Sequence, residues 1–154
     1  MLIAFVQLGI NDYFTRTIVQ VMKMLLTIDT SIIIAVITNE SSKNKIITAS
    51  LGYELIAPES LHWEIGNAFS AMLKRKRVTL EQAKEAINYY EQIAIRYVNV
   101  DLDSVLEYCS KYDIYAYDAY FIECAKKYKS SLISLDKNLI LVAKDNKIKT
   151  LEIN

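Results

Sequence analysis

The chain has 154 residues, of which 53% are hydrophobic and 23% charged, a composition typical of one globular domain and not of a disordered protein. Its 18 basic and 18 acidic residues give a formal net charge of zero, which excludes a general electrostatic attraction to nucleic acids or membranes. The two cysteines, Cys109 and Cys124, form no CxxC pair. They are therefore predicted to be reduced intracellular core thiols, not zinc ligands.

The first 23 residues differ from the rest. Their opening run, MLIAFVQLGI, is apolar but too short to span a membrane, and it lacks the basic start of a secretory signal. The protein is therefore expected to be cytoplasmic, with no membrane partner. Met24 stands directly before the first convincing strand, so residues 24–154 are predicted to form the domain. Residues 1–23 are interpreted as a leader, either a loosely attached or disordered helix or a misassigned start.

Beyond the leader, short apolar runs alternate with helical patterns. In chain order the sequence predicts a strand at 24–29, helices at 30–39 and 44–52, a strand at 54–58, helices at 58–76 and 78–97, a strand at 98–100, helices at 102–111 and 115–128, a strand at 131–135, a helix at 138–146 and a strand at 148–153. Pro58 is placed at the first position of its helix. Thr79 and Gln82 form a capping-box pattern. This alternation predicts a parallel sheet covered by helices on both faces.

Four carboxylates stand in apolar surroundings. Asp29 and Asp136 each follow a predicted strand, and Glu64 and Asp118 lie in predicted helices. Taken singly, each has an ordinary explanation, as a helix cap or a polar-face residue, and that explanation is about as probable as a functional one. Taken together they point to a site, because the carboxyl ends of parallel strands meet at one edge of the sheet.

Carboxylates brought together in this way need a positive partner. Two of them 4 Å apart repel by about 4 kcal/mol at an effective dielectric near 20, which shared protons or a divalent cation would offset. Carboxylate oxygens suit Mg²⁺ or Mn²⁺ better than zinc, and the chain has a single histidine. An acid-only site with Mg²⁺ fits phosphoryl-transfer chemistry.

The order and context of these acids resemble a PIN-domain ribonuclease, and among those the VapC-type toxins of toxin–antitoxin pairs. The matching segments are IDTSIII, PESLHWEIGNAF and YDAYFIECAKKYKSSLISLDKNL, within residues 24–154. The resemblance implies a three-layer α/β/α PIN-like domain with a central parallel sheet of four to five short strands. It also implies a homodimer and a small antitoxin protein that inserts an arginine among the carboxylates. Tyr115 departs from the family pattern, and Asp113 competes with Asp118 as the third acid, but Asp118 has the better sequence context.

The resemblance also implies a role for each site residue. Asp29, Glu64, Asp118 and Asp136 are expected to be the catalytic and metal-binding acids for Mg²⁺ or Mn²⁺. Polar neighbours are expected to orient these carboxylates: Thr30, Ser31, Asn67 and Ser134. Lys137, next to Asp136, is expected to contact an RNA phosphate.

Four other features have competing interpretations. His62 is interpreted as a partly exposed helix residue rather than a general base, and Trp63 as a packing residue rather than a platform for base stacking. The basic run KRKR at 74–77 is either a phosphate contact or the solvated end of a helix, with no preference. The 11 tyrosines are expected mostly in the core and at interfaces. The helices at 31–51 and 79–96 are expected to present apolar surface to partners.

The leading functional hypothesis is a metal-dependent endoribonuclease that cleaves RNA phosphodiester bonds as the toxin of a toxin–antitoxin system. The alternatives are a PIN nuclease with a housekeeping role in RNA processing, and a catalytically silent PIN-like module that binds RNA or protein. A small antitoxin gene beside this one would separate the first two. The sequence leaves open which RNA is cut, and whether one or two metal ions act.

Overall fold

A computed structural model describes residues 24–153 of the chain. Its strands are β1 (Met24–Ile28), β2 (Tyr53–Pro58), β3 (Ile95–Val98), β4 (Ser131–Ile133) and β5 (Thr150–Leu151). Its helices are α1 (Thr30–Ile37), α2 (Lys43–Ser50), α3 (Ser60–Lys74), α4 (Leu80–Glu91), α5 (Leu102–Tyr112), α6 (Ala116–Lys127) and α7 (Lys137–Asp145). The predicted α/β class is confirmed. The interpretation of residues 1–23 as a leader lies outside the described residues.

The five strands form one parallel sheet in the order β3-β2-β1-β4-β5. From β1 the chain winds outward to β2 and β3, and then returns to the other side of β1 to add β4 and β5. Because such crossovers are almost always right-handed, α1–α4 cover one face of the sheet and α5–α7 cover the other. The winding direction reverses between β1 and β4, and open α/β sheets bind ligands at that position, outside the carboxyl ends of the strands.

The core lies on both sides of the central strands. Leu26 and Ile28 of β1 and Leu132 and Ile133 of β4 are each at most 1% exposed, so these strands are buried on both faces, as parallel strands usually are. Ile122 of α6 packs into the same cluster. The strands that carry the acids therefore end in rigid, close-packed structure.

The third strand and the helix before it differ from prediction. The helix predicted over 78–97 ends at Glu91, and the strand predicted at 98–100 lies at Ile95–Val98. The helical periodicity of residues 79–94 led to a helix prediction that extended too far. The residues that follow, Ile95–Val98, pair instead with β2 from Leu55 onward. Pairing with a neighbouring strand outweighs local propensity here, and Arg96 bonds to Glu54 across it at 2.7 Å.

Two smaller expectations also differ at the edges of α3. Pro58 is the last residue of β2 rather than the first of the helix, and Glu59 is the N-cap. The helix ends at Lys74, and Lys76 adopts a left-handed conformation with φ 54°.

Other local predictions are confirmed. Both hydrogen bonds of the capping box between Thr79 and Gln82 are present. Neither cysteine forms a disulfide within residues 24–153, and Cys124 is buried as predicted for a core thiol, whereas Cys109 is only half-buried. Burial raises the pKa of the Cys124 thiol to about 11. None of the helices within residues 24–153 has the length and apolar character needed to cross a membrane.

Candidate active site

Asp29 is the most tightly held of the four acids. It follows β1 and caps α1, where its Oδ1 accepts hydrogen bonds from the Ser31 hydroxyl at 2.8 Å and from the backbone N–H of Ile32 at 3.2 Å. Its Oδ2 accepts one from the Ser134 hydroxyl at 2.8 Å. Burial raises the pKa of Asp29 and outweighs these hydrogen bonds, which lower it. A carboxylate in this state is stabilised by a positive charge nearby.

Glu64 projects from the second turn of α3 toward the same place. Its Oε2 accepts a hydrogen bond from the Thr30 hydroxyl at 2.6 Å. Its Oε1 is buried and has no hydrogen-bond partner within the described part of the chain. Burial raises the pKa of Glu64 most, and the charges of Asp29 and Asp118 raise it further, while nearby hydroxyls lower it.

Asp118 and Asp136 complete the group from the other face of the sheet. Asp118 lies half-buried in the first turn of α6, and burial and then the charge of Asp136 raise its pKa. Asp136 caps α7, with Oδ1 accepting from the backbone N–H groups of Asn138 at 2.7 Å and Leu139 at 3.2 Å. The capping role considered from sequence therefore holds for Asp29 and Asp136.

The four acids influence one another in a continuous series. The charges of Asp29 and Asp118 raise the pKa of Glu64, and the charge of Asp136 raises the pKa of Asp118. Asp29 and Asp136 follow the adjacent parallel strands β1 and β4 at the carboxyl edge of the sheet, and the bond to Thr30 holds Glu64 near Asp29.

A divalent cation fits this donor set. As they stand, no three of the Asp, Glu, His and Cys side chains within residues 24–153 form a group that could hold a metal ion. Mg²⁺, however, is usually bound through only one or two carboxylates, with water and substrate phosphates as its other ligands. The buried, unpartnered Oε1 of Glu64 and the free lone pair on Oδ2 of Asp29 are oxygen donors of the kind that this ion prefers.

A comparison with protein-family models identifies the family. The model of the PIN domain matches residues 26–145, which include all four acids. The chain belongs to the PIN domain family. This match confirms the resemblance to the family noted in the sequence. PIN domains are generally nucleases.

Solved structures have the same fold. This PIN domain is similar to PAE2754 from Pyrobaculum aerophilum, with a TM-score of 0.61 and 19% identity over 82% of this chain and 83% of that one. It is also similar to a chain in the structure of VapBC2 from Rickettsia felis bound to a DNA fragment from their promoter, with a TM-score of 0.63 and 12% identity over 85% of this chain and all of that one. A search of curated proteins gave no match.

Several other residues predicted from sequence lie near the acids of the PIN domain. Asp136 donates its backbone N–H to Ser134 Oγ at 2.8 Å, and Leu135 donates its own to Ser31 Oγ at 3.0 Å. Each serine thus contacts both Asp29 and the loop that carries Asp136. Lys137 follows Asp136 and is exposed. Its phosphate contact remains a prediction.

Other candidates lie farther away or have different surroundings. Asn67 is exposed, one turn after Glu64. His62 is exposed and contacts Tyr90, with 3.4 Å between Nδ1 and the phenol oxygen. The basic run begins at Lys74, ten residues after Glu64, which corresponds to about 15 Å along a helix. That spacing favours its interpretation as the solvated end of α3.

Two residues near the acids were not assigned to the site from sequence. The Ser60 hydroxyl, one turn before Glu64, is buried and makes no hydrogen bond of good geometry within residues 24–153, yet it is near enough to lower the pKa of Glu64. The i, i+4 spacing was the available signal. The interpretation of Trp63 as a packing residue is wrong, since 71% of it is exposed.

Proposed function

We propose that this PIN domain is an endoribonuclease that depends on Mg²⁺ or Mn²⁺. The observation that carries the proposal is the arrangement at the sheet edge, where Asp29 and Asp136 follow adjacent parallel strands and Glu64 is bonded to Thr30. The buried Oε1 of Glu64 has no hydrogen-bond partner within residues 24–153. Neighbouring carboxylates of this kind repel one another unless shared protons or a cation offset the repulsion. A nuclease of phosphodiesters is the function in which such a cation has a direct chemical use.

Each residue of the site would have its own role in metal binding or RNA binding. Asp29, Glu64 and Asp118 would hold one ion, directly or through water, and Asp136 would complete the site. The bound metal would activate water and stabilise the charge on the reacting phosphate. Ser31 and Ser134 fix the Asp29 carboxylate, and Thr30 fixes one oxygen of Glu64. Lys137 would contact a phosphate of the RNA, and Asn67 lies one turn beyond Glu64.

The test is incubation of the purified protein with total RNA in Mg²⁺ and in EDTA, followed by mapping of the ends. We expect cleavage only with Mg²⁺ or Mn²⁺, with 5′-phosphate and 3′-hydroxyl products. Asp29→Asn should abolish it. Asp103→Asn is the matched control, because Asp103 is an exposed acid in the first turn of α5 and was never a candidate for the site. Full activity of Asp29→Asn would contradict the proposal.

The biological role that we propose is the toxin of a toxin–antitoxin pair. The structural likeness to a chain in the VapBC2 complex supports it. An antitoxin arginine inserted among the four acids would be held by charge and by paired hydrogen bonds. Expression in the cytoplasm should arrest growth, and co-expression of a small protein encoded beside this gene should restore it. Viable expression of an RNA-cleaving protein would favour a housekeeping role instead.

A homodimer is the remaining part of this proposal. Apolar side chains on α2, α4 and the loop after α2 remain exposed in the single chain, among them Ile47, Leu51, Leu80 and Tyr89. A contiguous patch of such groups is typical of an interface, and α2 and α4 lie within the segments that the sequence predicts to face partners. Light scattering should give twice the mass of the chain.

A further inference from the structure

We propose that a pocket beside the four acids binds one unpaired nucleobase of the RNA, stacked between Trp63 and the pair of Tyr117 and Tyr120. The inference rests on the proposed ribonuclease function and deepens it. We call this cavity of about 380 Å³ the base pocket. The residues that carry the argument are Glu59, Ser60, Trp63, Asn99, Tyr117 and Tyr120.

The base pocket adjoins the acids. Ser60 lines the pocket and lies one helical turn before Glu64 on the same face of α3, and Tyr117 lies in the same first turn of α6 as Asp118. Its floor is formed where β2 and β3 end, one and two strands away from β1. Since neighbouring strands lie about 4.8 Å apart, the ends of β2 and β3 lie roughly 5 and 10 Å to one side of the end of β1, which Asp29 follows. A strand whose phosphate lies at the acids thus has a base within reach of this pocket.

The walls of the base pocket are aromatic and exposed. Trp63 is 71% and Tyr117 is 53% exposed, and the rings of Tyr117 and Tyr120 meet edge to face with centroids 6.1 Å apart. Large aromatic surface left in water favours a flat apolar ligand. Bases stack on such side chains whatever their identity, because every base has a π-face.

The polar groups of the pocket select against a phosphate. Glu59 is an exposed carboxylate at its rim, and a carboxylate repels phosphate but accepts hydrogen bonds from the amino groups of bases. The exposed amide of Asn99 offers both donors and acceptors, and Tyr128 holds the backbone there through a bond to the Asn99 carbonyl at 3.1 Å. The charge of the pocket therefore favours a base over the backbone of the RNA.

A base must leave its duplex to enter such a pocket, since in a double helix its faces are covered by neighbours. Sequence-specific contacts to RNA are made mostly to unpaired loops and ends for the same reason. The same pocket would reject an intact duplex.

Trp63 provides a direct test, because it is the only tryptophan of the chain. A single-stranded oligoribonucleotide of about six nucleotides, added with Ca²⁺ in place of Mg²⁺, should quench its fluorescence. An abasic oligomer of equal charge and the same oligomer in a duplex should not. Quenching by the abasic strand or by the duplex to the same degree would overturn the inference.

Binding of the labelled oligomer, followed by anisotropy, gives the second measurement. Trp63→Ala should weaken binding by about 5- to 100-fold, and Trp63→Phe should restore most of it because a ring remains. Leu106→Ala is the control, since Leu106 is a large apolar side chain that is 63% exposed but lies on α5, outside the pocket. Equal affinity of Trp63→Ala and the wild type would overturn the base pocket.

The two proposals fail separately. Binding that depends on Trp63 without any Mg²⁺-dependent cleavage would contradict the ribonuclease function and leave the pocket in place. Cleavage with unchanged affinity, KM and cut sites in Trp63→Ala would contradict the pocket alone. Quenching by a protein partner but not by RNA would assign the pocket to that partner and overturn the inference.

Discussion

Ser134 donates a hydrogen bond of 2.8 Å to Asp29, and this bond joins the end of β4 to the end of β1. The two residues are separated by 105 positions in sequence, yet both are buried. The bond lies where the winding of the sheet reverses. Together with Ser31 and the backbone N–H of Ile32, it fixes the Asp29 carboxylate from three directions. The orientation of the first acid therefore depends on the strand that leads to the fourth.

Ser134→Ala should weaken both folding and the site. The change leaves Oδ2 of the buried Asp29 without its donor, which costs about 1–3 kcal/mol of unfolding free energy. Groups that orient metal ligands typically change metal affinity by about 10- to 100-fold. Urea unfolding and titration with Mn²⁺ measure the two effects. Ser110→Ala, at an exposed position of α5, is the control, and an equal loss in both variants would argue against a specific role.

Asp136 offers a way to separate a helix cap from a metal ligand. Asparagine is as good an N-cap as aspartate, so Asp136→Asn should unfold within about 0.5 kcal/mol of the wild type and still lose cleavage activity. Asp136→Ala should lose activity and also about 1 kcal/mol of stability, because Asn138 and Leu139 lose their acceptor. Retained activity in Asp136→Asn would show that Asp136 acts only as a helix cap.

Much of this fold was predictable because its signals are local. The apolar runs that become β1 and β4 are buried on both faces, and each is followed by an aspartate at a helix start. The capping box at Thr79 is likewise written in four consecutive residues. The position of Asp29 and Asp136 at one edge then follows from the parallel arrangement of the strands.

The features that were not predicted correctly depend on contacts between distant residues. Residues 95–98 become a strand only because Leu55 and its neighbours pair with them. Trp63 was predicted to pack, since aromatic residues usually do, but α3 turns it toward the pocket and away from the core. The proximity of Ser60 to Glu64 required both the start of α3 and the rotamers of the side chains, which no single sequence supplies.

Lys137 is predicted to contact a phosphate without reading bases. Lys137→Ala should weaken binding of single-stranded RNA by a similar factor for all sequences and reduce the slope of log affinity against log salt by about 1. Lys149→Ala, at another exposed lysine outside the loop that carries the fourth acid, is the control. The measurement is the affinity at several salt concentrations. An unchanged slope would place Lys137 away from the RNA.

Glu64→Gln should raise stability without metal and remove the response to metal. Glutamine keeps an acceptor for Thr30 and removes a charge whose pKa is raised by burial and by two neighbouring acids. The folded state binds this proton more tightly than the unfolded state. Glu64 therefore destabilises the folded state least below its unfolded pKa of about 4.3. Its contribution to stability falls as the pH rises through the folded pKa.

In EDTA, the melting temperature of Glu64→Gln relative to wild type should therefore increase from about pH 4 to pH 7. Mg²⁺ should stabilise the wild type, because a ligand that binds only the folded state raises its stability, and should leave Glu64→Gln nearly unchanged. Glu107→Gln, at an exposed acid of α5, should behave as the wild type. A wild type that is more stable than Glu64→Gln at pH 7 in EDTA would show that the buried charge has a partner other than a cation.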